Sequence, residues 1–340
     1  MLYIGLDVHK EFCQACVIDE SGRALSNERF SSTSEELDRF LDRFQDAKFV
    51  LESTGIWEFI YEGIEKRGFE AVLAHPLKVR AIAEARVKTD KVDAETLAQL
   101  LRADLIPRSW IPPKDIRDLR QLVRQRAYLV RDASRFKNRI HAEILRRGVR
   151  RPENLKTPFA QRSIRWMRSL DIPTVTSCLN CLENVQAQVE EINIQLLEEY
   201  NRRPDAQLIS TVPGIGFYGA LLILAEVDDV RRFHHPEKLC AYAGLVPTVR
   251  QSASSVKYGS ISKDGSAYLR WILTESVHVH TRYDPESQLS RFHSRVAKRR
   301  GKRVATVATA RKLLRIIYWM LVRHEPFHSH GFNPVKRVHC

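Results

Sequence analysis

The 340-residue sequence lacks an apolar run long enough to cross a membrane. A transmembrane helix needs about 18 or more consecutive apolar residues, and every hydrophobic stretch in this chain is interrupted before that length. The N-terminal segment MLYIGLDVHK is apolar only briefly and soon reaches an acidic residue, which is not the pattern of a secretory signal peptide. These absences argue against a membrane protein and predict a cytoplasmic one.

Cysteine is also scarce, with six in the chain, although four of them form two C-x-x-C pairs, Cys13/Cys16 and Cys178/Cys181. Such pairs are typical of zinc sites. We do not expect one, because the first pair lies in a strand-like segment, where residues three apart point to opposite faces, and no His or Cys follows at zinc-finger spacing. Reduced, mostly buried thiols are the simpler interpretation.

Acidic residues are in the minority, since 41 Asp and Glu stand against 55 Lys and Arg, giving a formal net charge of +14. This excess predicts a polyanionic partner, with nucleic acid favoured over a membrane surface. The length and the 44% of hydrophobic residues predict two or three domains. The sequence pattern divides the chain into the segments 1–108, 109–205 and 206–325 and a tail, 326–340.

Strand and helix patterns alternate in segment 1–108. LYIGL, FCQACVI and RALSNERF predict a three-stranded antiparallel meander. A capping box of Thr33 and Glu36 then begins a helix, followed by a strand ending at Glu52, another helix, the strand EAVLA and a helical run to Arg102. Antiparallel strands followed by alternating helices and parallel strands predict an α/β fold of the ribonuclease-H type.

The middle segment has a different pattern. Lys114 to Arg147 contains no glycine or proline and places apolar residues at alternating steps of three and four, and Leu182 to Leu196 repeats that spacing. The pattern predicts two coiled-coil arms, paired with each other or with another copy, although Arg126 and Lys137 interrupt the first seam. Packing within a helical bundle explains the same pattern equally well.

Segment 206–325 begins with LISTVPGIGFYGALLILAEV, where Gly214 and Gly216 separate two apolar helical stretches. This has the form of a helix-hairpin-helix turn, whose backbone N–H groups can hold a DNA phosphate, although a glycine turn can also be a simple helix connection. A Ser- and Gly-rich loop follows and leads into a helix. We expect this segment to be mostly α-helical.

Acids are absent from Arg291 to Arg315, which contains ten Lys or Arg. An unbalanced basic run predicts contact with a phosphate backbone, whereas a solvated helix face is the simpler alternative. The candidate contacts are Arg299, Arg300, Lys302 and Arg303.

Two aspartates, Asp90 and Asp93, lie three residues apart in the basic stretch ARVKTDKVDA. On a helix their Cβ atoms would be about 5–6 Å apart on one face, where two carboxylates repel unless a cation lies beside them. In the predicted fold, Asp7 lies on the first strand and Glu52 ends the parallel fourth strand. These acids would therefore meet at one edge of the sheet.

Four hard oxygen ligands predict Mg²⁺ or Mn²⁺, and a pair of such ions can stabilise both the attacking and the leaving oxygens of phosphoryl transfer. Lys88 and Lys91 would then hold the phosphate backbone. Each acid alone is equally explained as a solvated surface charge, and Asp90 as a helix N-cap. The prediction depends on the placement of all four acids.

Four motifs, YIGLDVHK, LESTG, VKTDKVDA and GLVPTVRQSASSVKYGSISKDGSAYLR, resemble in this order those of the DEDD-type insertion-sequence transposases. That family includes pilin-gene DNA invertases and bridge-RNA-guided recombinases. The resemblance implies a RuvC-like N-terminal domain that holds an acidic tetrad, a coiled coil that mediates homo-oligomerisation as a dimer or tetramer, and a C-terminal domain with a serine nucleophile. By motif position the tetrad is Asp7, Glu52, Asp90 and Asp93.

The resemblance assigns the nucleophile to Ser252, whereas chemistry alone leaves Ser254 and Ser255 open; Ala253 stands where the family has glycine. No His or acid adjoins Ser252, so we expect the tetrad and its metal to activate it in a composite site, which the resemblance implies is formed between protomers. The implied partners are element-end and target DNA and a non-coding bridge RNA. The residues expected to position the phosphate or the leaving strand are Lys257, Lys263 and Arg270.

Other functions explain some of the same residues. A RuvC-like structure-specific endonuclease would use the tetrad with a water nucleophile, and an architectural DNA-binding protein would need no catalytic group. An actin-like sugar kinase shares the early strand order, but GLDVHK lacks the glycine and small hydroxyl residues of a phosphate-cradling hairpin. The resemblance favours a transposase or invertase in which Ser252 forms a covalent phosphoserine and strands are exchanged without ATP.

Overall fold

The computed structural model describes residues 1–53, 55–83, 89–252 and 255–329, with the side chains of 249–252 and 255–258 left undescribed. The chain divides into two compact units, Met1–Ile111 and Pro112–Cys340. An α/β sheet unit followed by a mostly helical remainder is the predicted fold class, and it is confirmed. The finer division at residues 108, 205 and 325 stays a prediction.

The first unit contains five strands and four helices among its described residues. Its sheet has the order β3-β2-β1-β4-β5, in which β1 is antiparallel to β2 and parallel to β4. The predicted meander and parallel pair are therefore both present. The elements are β1 (Leu2–Val8), β2 (Phe12–Ile18), β3 (Ala24–Ser31), α1 (Ser34–Leu41), β4 (Ala47–Glu52), α2 (Trp57–Lys66), β5 (Glu70–Ala74), α3 (Pro76–Ile82) and α4 (Asp90–Arg102).

The two faces of β1 pack against different helices, as the period of two along a strand requires. Ile4, Leu6 and Val8 belong to the core that contains α1 and α2, whereas Gly5 faces α4. A Cβ at Gly5 would overlap the carbonyl oxygen of Ala94 in α4. Glycine at this position therefore allows α4 to lie directly on the strand that carries Asp7.

The predicted helical run to Arg102 contains two separate helices. Helix α3 ends at Ile82, and α4 begins only at Asp90. Thr89 has an extended backbone and its side chain accepts a hydrogen bond from the N–H of Val92, so Thr89 is the N-cap. Asp90 is the first residue of α4 and not its cap.

The first C-x-x-C pair is divided between the two faces of the sheet. Cys13 belongs to the core around Ile4 and Leu6, and Cys16 packs with Ala94 and Ala98 of α4. Burial raises the pKa of the Cys16 thiol to about 11. These two sulfurs therefore cannot bind one metal ion together.

The second unit is built from helices and one β-hairpin. Within its described residues, the elements are α5 (Lys114–Arg146), α6 (Gln161–Ser169), α7 (Pro173–Asn201), α8 (Pro204–Ser210), α9 (Phe217–Val227), a 3₁₀ helix (Val230–Arg232), α10 (Pro236–Tyr242), β6 (Pro247–Ser252), β7 (Ser255–Ile261), α11 (Ala267–Tyr283), α12 (Gln288–Arg300) and α13 (Lys302–Arg323). Among the described residues, no helix combines the length and apolar character that crossing a membrane requires.

The two predicted arms are α5 and α7, and they pack against each other within the chain. Ile140 and Ile144 of α5 share a core with Val175 and Leu179 of α7, so the helices run antiparallel. Arg126, which interrupts the predicted seam, donates to Asn193 Oδ1 over 2.7 Å. A polar pair therefore replaces one apolar layer. Oligomerisation through this pair of helices stays a prediction.

An ion pair with a buried carboxylate fixes α5 to the helices that follow. Glu226 of α9 is fully buried, and Arg124 of α5 binds both of its carboxylate oxygens at 2.8 and 3.0 Å. Ser266, the N-cap of α11, donates to the same carboxylate over 2.8 Å. Because three hydrogen bonds from two partners satisfy one buried charge, the three helices meet in a defined arrangement.

The turn between α8 and α9 carries both predicted phosphate-binding glycines. Gly214 has φ of +96°, and a Cβ there would lie 2.7 Å from the backbone nitrogen of His280 in α11. Gly216 is exposed at the start of α9, and a Cβ there would meet no other atom within 4 Å. Close packing thus accounts for Gly214, and a phosphate contact at either glycine stays a prediction.

The Ser- and Gly-rich segment before α11 is a β-hairpin, which corrects the expectation of a loop. Strands β6 and β7 are antiparallel, and their register pairs Ser252 with Ser255. Val249 on β6 and Val256 on β7 favour an extended backbone, and the pairing of the two strands overrides the weak strand preference of serine and glycine. Ser252 is the last residue of β6.

Candidate metal and nucleic-acid site

The candidate site lies at the carboxyl ends of β1 and β4. The parallel register pairs Leu6 with Leu51, so Asp7 and Glu52 are the next residues in register on neighbouring strands. Both follow a residue of the core that contains α1 and α2, which places both on the α4 face of the sheet. The first and fourth strands are therefore paired in a register that places Asp7 beside Glu52.

Helix α4 brings the other two acids. Asp90 and Asp93 both lie in its first turn, where the unpaired backbone N–H groups and the helix dipole favour negative charge. Asp93 also donates its backbone N–H to the carbonyl of Thr89 over 2.9 Å. The helix terminus thus offsets part of the repulsion that the sequence spacing alone suggests.

His9, which the sequence did not single out, lies between the strand-end acid Asp7 and the helix acid Asp90. His9 Nε2 lies 3.0 Å from Asp7 Oδ2 and 3.5 Å from Asp90 Oδ1. One ligand atom from each of Asp7, His9 and Asp90 falls within 4.8 Å of the other two. The position of His9 in YIGLDVHK, two residues after the strand-end acid, was the available signal.

Arg29 was also missed, because it comes from β3, which the sequence does not connect with the acids. Its Nη2 lies 3.1 Å from Asp90 Oδ2, and its guanidinium carbon lies 3.8 Å from the centre of the Phe12 ring. Phe12 in turn packs against His9, with 4.6 Å between ring centroids and 31° between the ring planes. Asp90 is thus contacted by two nitrogen-bearing side chains, those of His9 and Arg29, that both lie against the Phe12 ring.

Burial raises the pKa of the Asp7 carboxyl, whose side chain is only 17% exposed. His9 opposes this shift by its positive charge and hydrogen bond, and the negative charges of Asp90 and Asp93 add to it. The raised pKa thus includes an electrostatic effect of Asp93 on Asp7. A carboxylate held in this environment gains from a nearby cation.

The donor set fits a divalent cation. The carboxylates of Asp7 and Asp90 and the imidazole of His9 are all ligand types for first-row divalent ions, and their ligand atoms already converge. Glu52 ends the neighbouring strand and Asp93 lies on the same helix turn as Asp90, but within the described residues the converging ligand atoms come from Asp7, His9 and Asp90. The metal itself is not specified by this geometry.

The predicted basic residues lie in several places. Lys88 falls outside the described residues, and Lys91 is exposed on the first turn of α4. Lys263 is exposed, whereas Arg270 is half-buried and donates to the carbonyls of Ala243 and Gly265 over 3.0 and 3.2 Å. Arg270 therefore has a structural role in closing the loop between α10 and α11.

The other predicted basic residues lie around Gly301 and, with the candidate serines, on the β-hairpin segment. Arg299 and Arg300 end α12, Lys302 and Arg303 begin α13, and all four are exposed around Gly301. Lys257 lies on β7, and its side chain, like those of Ser252 and Ser255, is outside the description. Ala253 and Ser254 lie outside the described residues entirely.

Two family models match the chain along most of its length. A DEDD-type transposase model of the IS110 group matches residues 4–147, and a model described as the transposase IS116/IS110/IS902 family matches residues 206–293. The chain belongs to this transposase family. The resemblance found in the four motifs is confirmed, and with it a role as a transposase or recombinase acting on DNA.

Named relatives cover nearly the whole chain. The transposase for insertion sequence element IS1111A of Coxiella burnetii is 26% identical over 95% of this chain and 90% of its own length. The transposase for IS1328 of Yersinia enterocolitica is 26% identical, covering 93% of this chain and 95% of its own. The pilin gene-inverting protein of Moraxella bovis is 27% identical, covering 99% and 98%. Both kinds of rearrangement thus occur among relatives of this transposase.

Proposed function

We propose that this transposase is a metal-dependent serine recombinase of an insertion sequence, with a RuvC-like first unit. The observation that carries the proposal is the convergence of Asp7, His9 and Asp90, from a strand end, a turn and a helix terminus, on one point of the sheet edge. Carboxylates gathered in this way suit phosphoryl transfer, in which charge develops on oxygen. Membership of the DEDD transposase family supports the same chemistry.

Asp7, Glu52, Asp90 and Asp93 would hold Mg²⁺ or Mn²⁺. Such an ion, when bound, stabilises negative charge on phosphoryl oxygens. Arg29, which contacts Asp90, adds a positive charge whose planar guanidinium suits a phosphate oxygen. The burial of Asp7 excludes part of the solvent that would otherwise screen these interactions.

Ser252 is the proposed nucleophile. Its hydroxyl oxygen would form a bond to the phosphorus of a DNA phosphodiester, the bond from phosphorus to one deoxyribose oxygen would break, and the serine proton would pass to solvent or to that leaving oxygen. The covalent phosphoserine conserves the energy of the phosphodiester, so rejoining to a different strand needs no ATP. The end position of Ser252 on β6, beside the hairpin tip, suits contact with a large substrate.

A recombinase of this kind would bind DNA, a guide RNA and further copies of itself. DNA of the element ends and the target would be held by the basic residues around Gly301, and a non-coding bridge RNA would pair with both DNAs on a surface of the same charge. A dimer or tetramer would form through α5 and α7. Inversion is the second candidate, since the pilin gene-inverting relative aligns along almost its whole length.

The test is to trap the covalent intermediate. The full-length protein is incubated with element-end DNA, the RNA transcribed beside the element, and Mg²⁺ or Mn²⁺, and a protein–DNA adduct is located by mass spectrometry. We expect the adduct on Ser252, its loss in Ser252→Ala, and its retention in Ser254→Ala and Ser255→Ala. A Ser252→Ala protein that still cleaves DNA with metal would contradict the serine mechanism and favour a nuclease that uses water.

A further inference from the structure

We propose that His9 is a nitrogen ligand of the metal at this site and makes the site prefer Mn²⁺ to Mg²⁺. This inference rests on the proposed function, because it requires that the acids bind a divalent ion. It goes further in assigning a ligand outside the acidic tetrad and a metal preference. The acids alone favour Mg²⁺ and Mn²⁺ about equally, since both accept carboxylate oxygens.

The positions of the three ligand atoms suit one ion. Two ligands that each lie about 2.1 Å from an ion at right angles are about 3.0 Å apart. His9 Nε2 is 3.0 Å from Asp7 Oδ2 and 3.5 Å from Asp90 Oδ1. The first separation matches neighbouring octahedral positions, and the second corresponds to an angle of about 113° at the ion. The third pair, Asp7 and Asp90, has ligand atoms within 4.8 Å of each other, so a single ion can contact all three after the side chains draw together.

The imidazole is held in place from several sides. The backbone N–H of His9 donates to the carbonyl of Phe12 over 2.9 Å, and Ser32 Oγ donates to the carbonyl of His9 over 2.9 Å. The ring packs against that of Phe12 at a tilt of 31°. A ligand whose backbone and ring are both fixed loses little conformational entropy on binding, which favours coordination.

The ring nitrogen of His9 is the reason to expect a preference for Mn²⁺ over Mg²⁺. Mg²⁺ dehydrates reluctantly and takes oxygen ligands in near-ideal octahedral geometry. Mn²⁺ also favours oxygen ligands, but as the first member of the transition-metal affinity series for nitrogen and oxygen sites it accepts an imidazole nitrogen at less cost than Mg²⁺ does. Replacing one water or carboxylate by His9 Nε2 therefore costs Mg²⁺ more than Mn²⁺. The same argument applies to Fe²⁺ and Zn²⁺, and Mn²⁺ is the probe because it can be detected directly.

The competing interpretation is that His9 serves only as a cation paired with Asp7 and Asp90, like Arg29. The two roles predict effects of opposite sign. A ligand that is removed weakens metal binding, whereas a competing cation that is removed leaves two more exposed carboxylates and strengthens it. Metal affinity in a His9 variant therefore decides between them.

The experiment measures Mn²⁺ binding to the full-length protein by electron paramagnetic resonance, with Mg²⁺ affinity obtained by competition. For His9→Ala we expect the Mn²⁺ dissociation constant to rise about tenfold or more, while that for Mg²⁺ changes by less than about threefold. Pulsed spectra of bound Mn²⁺ should show nitrogen modulation that the variant loses. The exposed His234→Ala is the matched control and should change neither quantity.

His9→Asn is the second variant, because it keeps a polar side chain and lacks an imidazole nitrogen, and thermal unfolding verifies that each variant is folded. An unchanged or higher Mn²⁺ affinity in both variants, or an equal loss for both metals, would overturn the proposal. Asp7→Asn separates this failure from that of the proposed function. If Asp7→Asn abolishes metal binding and His9→Ala does not weaken it, only the assignment of His9 is wrong.

Discussion

The backbone of Gly5 packs against the carbonyl oxygen of Ala94 with no room for a side chain between them. A Cβ at residue 5 would overlap that oxygen and lie 2.6 Å from the backbone nitrogen of Ala98. Both neighbours are helix backbone, so neither can move without moving α4. This contact sets the height of α4 above the sheet, and the height in turn fixes how close Asp90 and Asp93 come to Asp7.

Gly5→Ala should therefore damage both stability and the site. Overpacking of this kind costs about 1–3 kcal/mol, and displacement of α4 should weaken divalent-metal binding even where the variant folds. Chemical denaturation gives the first quantity and Mn²⁺ titration the second. Gly55→Ala is the stability control, because a Cβ there meets nothing within 4 Å. Metal affinity unchanged in a destabilised Gly5→Ala would show that α4 does not set the site geometry.

Asp7→Asn should inactivate the enzyme and stabilise the metal-free protein at neutral pH. The folded-state pKa of Asp7 is raised above its ordinary value of 3.8, chiefly by burial, so the folded state binds this proton more tightly than the unfolded state does. Its contribution to stability is present below pH 3.8 and is lost as the pH rises through the folded pKa. Asparagine carries no charge and avoids that loss.

The measurement is thermal unfolding of both proteins from acidic to neutral pH in a chelating buffer, since bound metal would stabilise the wild type. The difference in melting temperature should grow as the pH rises and then level off. A variant less stable than the wild type at every pH would mean that the pairing of Asp7 with His9 outweighs the burial of its charge.

The sequence predicted the sheet because its strands carry local patterns. Leu2–Val8 and Phe12–Ile18 alternate or run apolar, and the Thr33 hydroxyl caps the helix that follows it. A parallel partner for β1 then follows from the order of elements, which places Asp7 beside Glu52. Half of the candidate site was therefore accessible from local chemistry and connection rules.

The remainder depended on contacts between residues distant in sequence. Arg29 is 61 positions from Asp90, and only the pairing of β3 with β2 and the placement of α4 bring them together. His9 carries no pattern of its own, since a histidine after a strand has many uses. The hairpin of β6 and β7 was missed because serine and glycine are weak strand formers, and the pairing of the two strands overrides that preference.

The two glycines of the turn between α8 and α9 should respond differently to alanine. Gly214→Ala requires a side chain at φ of +96° and a Cβ 2.7 Å from the His280 backbone, so it should lower the unfolding free energy by about 1–3 kcal/mol. Gly216→Ala has open space and should fold normally. If the turn holds a DNA phosphate, Gly216→Ala should weaken DNA binding without a change in stability, which filter binding measures. If Gly216→Ala and the wild type bind DNA with equal affinity, the turn serves only to pack the helices and does not bind phosphate.

The basic residues around Gly301 should contribute to DNA binding through charge alone. Arg299, Arg300, Lys302 and Arg303 are exposed at the junction of α12 and α13, in a stretch from Arg291 to Arg315 that contains no acid. Each phosphate neutralised by a protein cation adds about 0.9 to the slope of log affinity against log salt. Replacing all four residues by alanine should therefore reduce that slope by up to about 3.6 and weaken binding to specific and unrelated DNA alike.

Arg162 and Arg165, which are exposed on α6, provide the matched control for loss of positive charge. The fall in slope is compared per positive charge removed. If replacing Arg162 and Arg165 by alanine lowers the salt slope by as much per charge as the fourfold variant does, the net charge of the protein, and not this junction, attracts the DNA.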